Sequence, residues 1–139
     1  MKTPKYFDLE ELLYSSTALN KKIQNLPSWT IVENLNRLAT EILDVVREEY
    51  GSAVYVSSGY RSDKLNAAVN GSKTSQHRKG EAADIYAKDT KRLFEVCKRL
   101  IDEGRISVGQ LIDENNYSWV HISLPTLKEN NQILHKKVV

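Results

Sequence analysis

Two short stretches of the sequence carry side chains that are typical metal ligands. The first, at 75–84, contains His77 and Asp84, and the second, at 119–123, contains His121. Two imidazoles and one carboxylate suit a catalytic zinc ion, because three protein ligands leave one coordination position free for water. A water molecule activated by zinc is a nucleophile near neutral pH, so this ligand set would serve hydrolysis.

The spacing of His77 and Asp84 excludes a single helix as their common support. A helix rises about 10.5 Å over that interval, whereas two ligands must each lie about 2 Å from one ion. Gly80 lies between the two residues and permits a sharp turn. We therefore expect a loop that doubles back into a short strand at about 82–87, which carries Asp84.

The third candidate ligand lies in a stretch with the period of a β-strand. Alternation places one set of residues on one face (Tyr117, Trp119, His121 and Ser123) and the aliphatic set on the other (Val120, Ile122 and Leu124). His121 thus projects from the face opposite the aliphatic one. A histidine on a strand is more often an ordinary hydrogen-bonded residue, and Asp84 could be a strand-end carboxylate, so the pattern alone leaves both interpretations open.

Motifs along most of the chain resemble those of the zinc peptidoglycan peptidases. In chain order they are Ser57-Ser-Gly59-Tyr60-Arg61-Ser62, Asn66 with Val69-Asn-Gly71, Ser75-x-His77-x-x-Gly80-x-Ala82-x-Asp84, Gln110-Leu-Ile-Asp-Glu114 and Trp119-Val-His121-Ile-Ser123. That group includes D-Ala-D-Ala carboxypeptidases, vancomycin-resistance D,D-dipeptidases and phage L-alanyl-D-glutamate endolysins, and it shares its fold with the hedgehog signalling domain. The resemblance, from about Tyr6 to Leu124, implies zinc-dependent cleavage of peptidoglycan stem peptides, at either D-Ala-D-Ala or L-Ala-D-Glu.

The same resemblance implies which residues bind zinc and which one acts as general base. It makes the three candidate ligands the zinc site and Glu114 the base. Many relatives carry this glutamate three residues before the last histidine, where this chain has Ser118. The longer interval here is closer to the hedgehog-like arrangement and leaves Asp113 as a competitor. An acid beside a turn is otherwise usually just solvated.

Substrate contacts also follow from the resemblance. Arg61, after a strand expected at about 53–57, is similar to the family arginine that reaches the substrate or the oxyanion, and its donors suit a carboxylate. Ser75 would orient a ligand or contact the substrate, and Trp119 would contact the substrate. Apart from the family, Arg61 would be a surface residue closing a turn, and Ser75 would bond its own backbone.

The rest of the sequence predicts an α+β fold of the hedgehog and D,D-peptidase type. Helices are expected after the caps Asp8, Thr30 (with Glu33), Ser62 and Thr90, the second ending at Gly51 and the last at Gly104. Strands are expected at about 53–57, 82–87, 107–113 and 117–124, the last two joined as a hairpin across Asn115-Asn116. The prediction is a mainly antiparallel sheet with helices packed on one face and the zinc site on the other.

Length and composition fit a single domain over 1–139. The chain has 139 residues, of which 40% are hydrophobic and 27% charged, as in ordinary globular proteins. Residues 126–139 are expected to form a short helix or a loosely packed tail, with His135 solvated rather than a fourth ligand. The only cysteine, Cys97, is expected to be buried in a helix, so neither a disulfide nor a thiol protease is expected.

Charge and hydropathy exclude some classes of partner. A net charge of +2 is too small to argue for nucleic acid, and no apolar run is long enough to span a membrane. The stretch 1–8 lacks the apolar core of a signal peptide. We therefore expect a monomer that is cytoplasmic as synthesised and acts on the cell wall only if released or exported.

The alternative function is a noncatalytic zinc domain that binds a cell-wall peptide or a protein.

Overall fold

This computed structural model describes residues 2–137 of the chain. These residues contain six α-helices and five β-strands. The helices are α1 (Leu9–Leu13), α2 (Ser16–Asn20), α3 (Trp29–Leu38), α4 (Asp44–Tyr50), α5 (Asp63–Ala68) and α6 (Thr90–Asp102). A π-helical turn, Ala39–Leu43, joins α3 to α4, and a 3-10 turn, Gln76–Lys79, precedes β2. The strands are β1 (Val54–Ser58), β2 (Ala82–Ala87), β3 (Gln110–Glu114), β4 (Trp119–Ser123) and β5 (Gln132–Lys136).

The strands form one sheet in the order β1-β2-β4-β3-β5. All neighbouring strands are antiparallel except β3 and β5, which are parallel. The mixed α+β fold with a mainly antiparallel sheet is therefore confirmed. The two strands that carry Asp84 and His121, β2 and β4, are neighbours near the middle of this sheet.

One face of the sheet is covered by the helices. Its inward residues join the long helices in a single buried core, which includes Ile85, Val120 and Ile122 from the sheet, Leu35, Leu38 and Val46 from α3 and α4, and Leu93, Cys97 and Leu100 from α6. This arrangement follows from the period of two in the strands and the apolar stripes of the helices. Asp84 and His121 project from the opposite face, as predicted.

The caps of the first two predicted helices agree only in part with the sequence. Asp8 caps α1 in a capping box, as predicted. The prediction that Thr30 caps the long helix is wrong, because Ser28 does so, its hydroxyl accepting a hydrogen bond from the Ile31 backbone N–H. Serine and threonine cap helices through the same hydroxyl hydrogen bond, so Ser28 was an equally suitable cap two residues earlier. Gly51, with φ of 83°, ends α4 as expected.

The caps of the other two predicted helices follow a similar pattern. Ser62 caps α5 as predicted. The prediction for α6 is one residue late: Asp89 is the cap, its carboxylate accepting a bond from the Arg92 N–H at 3.0 Å. Thr90 is the first helical residue, and aspartate is the stronger of the two neighbouring capping residues. Gly104, with φ of 71°, follows the end of α6.

The C-terminal segment differs most from its prediction. Instead of a short helix or loose tail it contains β5, which pairs in parallel with β3. Asn131 fixes the start of this strand, since its N–H donates to the Val108 carbonyl at 2.6 Å and its side chain accepts from the Val108 N–H at 2.9 Å. Ile133 packs against the core. The pairing partner lies more than twenty residues away, so local composition did not reveal it.

The turn of the β3-β4 hairpin is longer than predicted. Asn115, Asn116 and Tyr117 all have positive φ, at 52°, 54° and 61°, so β4 begins at Trp119 and not at 117. Tyr117 consequently leaves the face shared with Trp119 and His121. It packs edge to face on Phe94 of α6 instead, with ring centroids 5.6 Å apart.

The lone thiol is inert in this fold. Cys97 is fully buried, as predicted, and burial raises its pKa to about 12. A thiol with such a pKa is not a nucleophile near neutrality.

Within residues 2–137, none of the helices combines the length and apolar character needed to cross a bilayer.

Candidate active site

The three predicted metal ligands converge on one point. Candidate ligand atoms of His77, Asp84 and His121 all lie within 4.8 Å of one another. Oδ1 of Asp84 is 3.2 Å from Nε2 of His77 and 3.1 Å from Nδ1 of His121. Ligands at about 2 Å from a tetrahedral ion lie about 3.3 Å apart. The cluster therefore has the spacing and the donor set of a site that could hold a metal ion.

The sheet itself sets the position of two of these ligands. Asp84 on β2 and His121 on β4 are directly paired in the antiparallel register. Such cross-strand partners share a face and have Cβ atoms about 4.5–5.5 Å apart. The pairing brings together two residues that are far apart in the chain.

The third ligand comes from the turn that precedes β2. Ser75 caps this 3-10 turn, its hydroxyl accepting a bond from the His77 N–H at 3.2 Å. Gly80 ends the turn in the left-handed region, with φ of 70°, and the chain then enters β2. The predicted loop that doubles back from His77 to Asp84 is therefore present.

Gly80 offers a direct test of this turn. An added Cβ would lie 2.9 Å from both Cγ2 and the carbonyl oxygen of Ile31. We expect Gly80→Ala to lower the free energy of unfolding by about 2–4 kcal/mol, because a left-handed alanine costs about 1 kcal/mol and overpacking adds about 1–3 kcal/mol. Denaturant unfolding measures this change.

Gly104→Ala is the matched control for Gly80→Ala. Gly104 has nearly the same φ, 71°, but an added Cβ there meets nothing within 4 Å among the described residues. Only the conformational cost of about 1 kcal/mol applies. Equal losses of stability in the two variants would contradict the close packing of Gly80.

Each histidine is oriented by a second hydrogen bond. Nδ1 of His77 lies 2.7 Å from the carbonyl oxygen of Gly59, which directs Nε2 toward Asp84. Nε2 of His121 lies 3.3 Å from Oε1 of Gln76, which leaves Nδ1 beside Asp84. Partners of this kind fix the tautomer and the ring orientation of metal-binding histidines. Sequence reasoning missed both partners, although Gln76 directly precedes His77.

Charge in the cluster favours an ionised carboxylate. Burial by itself favours the neutral form of Asp84, but His77 and His121 outweigh it and hold the pKa of Asp84 below its usual range. Both histidines are buried. Asp84 therefore presents an anionic carboxylate in a partly water-excluded setting, where a nearby cation is strongly favoured.

All the residues predicted for the site line one cleft of about 550 Å³. Besides the three candidate ligands these are Arg61, Ser75, Glu114 and Trp119. Several more polar residues also line it, among them Gln76, Glu129 and Lys136, which the sequence did not single out. The cleft is large enough for a small peptide substrate.

The model of the peptidase M15 family matches residues 5–123. The chain belongs to the peptidase M15 family. The resemblance to this family is thus confirmed, and the chain is a metallopeptidase. No match was found among the curated proteins.

The structure separates the two acids that competed for the role of base in this M15 peptidase. Glu114 lies on the cleft face of β3, where Nε1 of Trp119 donates a hydrogen bond to its carboxylate. Asp113 points to the other face and is buried. It accepts bonds from the Tyr117 N–H and from Nδ1 of His135. Asp113 is therefore turned away from the cluster, and so is His135.

Arg61 places a cationic group in the same M15 cleft. Its backbone N–H donates to the carbonyl oxygen of His77 at 2.9 Å, and Nη2 lies 3.4 Å from the Ser75 hydroxyl. Burial lowers the pKa of Arg61, while the charges of Asp84 and Glu114 oppose that shift. Nε is buried and has no hydrogen-bond partner within residues 2–137. The guanidinium is thus held in the cleft that the three candidate metal ligands line.

Proposed function

We propose that this chain is a zinc-dependent peptidase that hydrolyses peptidoglycan stem peptides, as a D-Ala-D-Ala carboxypeptidase or an L-Ala-D-Glu endopeptidase. One observation carries the proposal. In an M15 chain, the His77, Asp84 and His121 ligand atoms converge in a cleft that also contains the carboxylate of Glu114. The cleft thus offers ligands for a metal ion that acts as a Lewis acid and, in the same cleft, a carboxylate that can accept a proton.

The donor set fits zinc. We assign Nε2 of His77, Oδ1 of Asp84 and Nδ1 of His121 as the ligand atoms, which gives the nitrogen and oxygen coordination typical of catalytic zinc. Bound zinc supplies a Lewis acid that lowers the pKa of a water molecule and polarises the scissile carbonyl group. Three protein ligands leave room for that water.

Glu114 is the general base of the proposed reaction. Its carboxylate takes a proton from the attacking water and later gives it to the leaving amine, which must depart neutral. The hydrogen bond from Trp119 leaves the other carboxylate oxygen free for this task and holds the group on the cleft face. Trp119 therefore orients the base and also lines the cleft in which the substrate would bind.

Arg61 and Ser75 bind the substrate in this proposal. Stem peptides carry carboxylates, and a guanidinium close to the metal cluster is suited to hold one or to stabilise negative charge on the attacked carbonyl. The Ser75 hydroxyl, 3.4 Å from Nη2 of Arg61, orients the guanidinium and also caps the turn of His77. These contacts would hold the substrate in the cleft that also contains Glu114.

Digestion of purified stem peptides tests the proposal and names the bond. We expect the zinc-loaded protein to release either the terminal D-alanine or the fragment that begins at D-glutamate, as read by mass spectrometry. Addition of a chelator should stop the reaction, and zinc should restore it. Zinc binding without cleavage of either bond would instead support the noncatalytic cell-wall binding domain.

A further inference from the structure

The segment that follows β4 reaches back into the cleft. The match to the M15 family ends at residue 123, yet Glu129, in the loop before β5, and Lys136, on β5, both line the cleft. The candidate site is therefore built in part by residues outside the matched region.

Two consecutive hydrogen bonds connect Glu129 to a candidate metal ligand. Nε2 of Gln76 donates to Oε1 of Glu129 at 2.7 Å. Oε1 of the same amide lies 3.3 Å from Nε2 of His121. The amide of Gln76 thus bridges the carboxylate and the imidazole.

This bridge has only one consistent direction. An ionised carboxylate accepts hydrogen bonds and donates none, so Glu129 must face the NH₂ group of Gln76. The amide oxygen of Gln76 then faces His121 and accepts the Nε2 proton. His121 is held in the tautomer whose Nδ1 lone pair points toward Asp84, which is the form that a metal ion requires.

Glu129 is itself held firmly enough to act in this way. Its N–H donates to the Thr126 hydroxyl at 3.0 Å, and the Thr126 N–H donates to its carbonyl oxygen at 2.9 Å. Two residues later, Asn131 ties the chain to Val108, just before β3. The loop is closed at both ends, so the carboxylate has a fixed position relative to Gln76.

The two histidines differ in what orients them. His77 uses the backbone carbonyl of Gly59, which no substitution removes, whereas His121 depends on side chains. We propose that Glu129 is a positioning residue that acts through Gln76 to fix the tautomer and orientation of His121 as a metal ligand. This inference rests on the proposed zinc site.

Zinc affinity, measured by competition with a chelator of known affinity, tests the inference. We expect Glu129→Ala and Gln76→Ala each to weaken zinc binding by about tenfold, the lower end of the range for partners of metal-bound histidines. The double variant should bind no more weakly than Gln76→Ala, because both changes interrupt one connection. Glu129→Gln should recover most of the affinity, since its amide oxygen can still accept from Gln76.

Lys128→Ala is the matched control, since Lys128 is an exposed neighbour in the same loop. It should bind zinc like the wild type. Wild-type affinity in Glu129→Ala, additive losses in the double variant, or an equal loss in Lys128→Ala would overturn the inference and leave the proposed function standing. Absence of zinc binding by the wild-type protein would overturn both.

Discussion

His121→Ala is expected to weaken zinc binding by more than about a hundredfold and to abolish stem-peptide cleavage. Losing a partner of a metal-bound histidine costs about 10- to 100-fold in affinity, so losing the ligand itself must cost more. The same result is expected for His77→Ala, since both imidazoles contact the one carboxylate of Asp84. Zinc content after dialysis and the peptide digest measure the two effects.

His135→Ala is the matched control for these variants. His135 is an imidazole on the opposite side of the sheet, bonded to Asp113 with Nδ1 and Oδ2 3.0 Å apart. Its loss removes one partly exposed hydrogen bond, which is worth about 1 kcal/mol. Zinc content and cleavage should be unchanged. A variant of His121 that keeps its zinc would refute the assigned ligand set.

Only the local parts of the candidate metal site could be predicted from the residues themselves, and the assignment of all three ligands came from the resemblance to the peptidase family. Gly80 and the short interval between His77 and Asp84 require a turn into a strand, and the period of two in β4 sets the face of His121. Which strands are neighbours is not a local property. The direct pairing of Asp84 with His121 became visible only in the register of β2 and β4.

What the sequence could not reveal depends on distant contacts. β5 exists because it pairs with β3, and its isolated composition suggests no such partner. Glu129 reaches the cleft only as a result of that pairing. The Gln76 amide acquires its role from Glu129 on one side and His121 on the other.

The strand register decides which of the two neighbouring acids, Asp113 or Glu114, faces the cleft. Neighbouring residues on a strand point to opposite faces, so at most one of the two can serve the cleft. Sequence spacing left the choice open, because the turn of the hairpin could have shifted the register. The pairing of Glu114 with Trp119 places Glu114 on the cleft face and directs Asp113 to His135.

Glu114→Gln is accordingly expected to retain zinc and lose about 10²- to 10⁴-fold in kcat, the usual contribution of a general base. Glutamine has the same shape and can still accept the hydrogen bond from Trp119, but it cannot take a proton from water. In this variant the zinc content should therefore stay at the wild-type level while the rate of stem-peptide hydrolysis falls. When a metal ligand is removed, both should fall together.

Asp113→Asn is the control for Glu114→Gln, since it changes the neighbouring acid in the same way on the opposite face. It should lower stability modestly, because Asp113 is buried and accepts hydrogen bonds from Tyr117 and His135. Its kcat should stay near that of the wild type. Full turnover in Glu114→Gln combined with a large loss in Asp113→Asn would require the hairpin register to differ from the one described, since no rotation of a side chain carries Asp113 through the sheet.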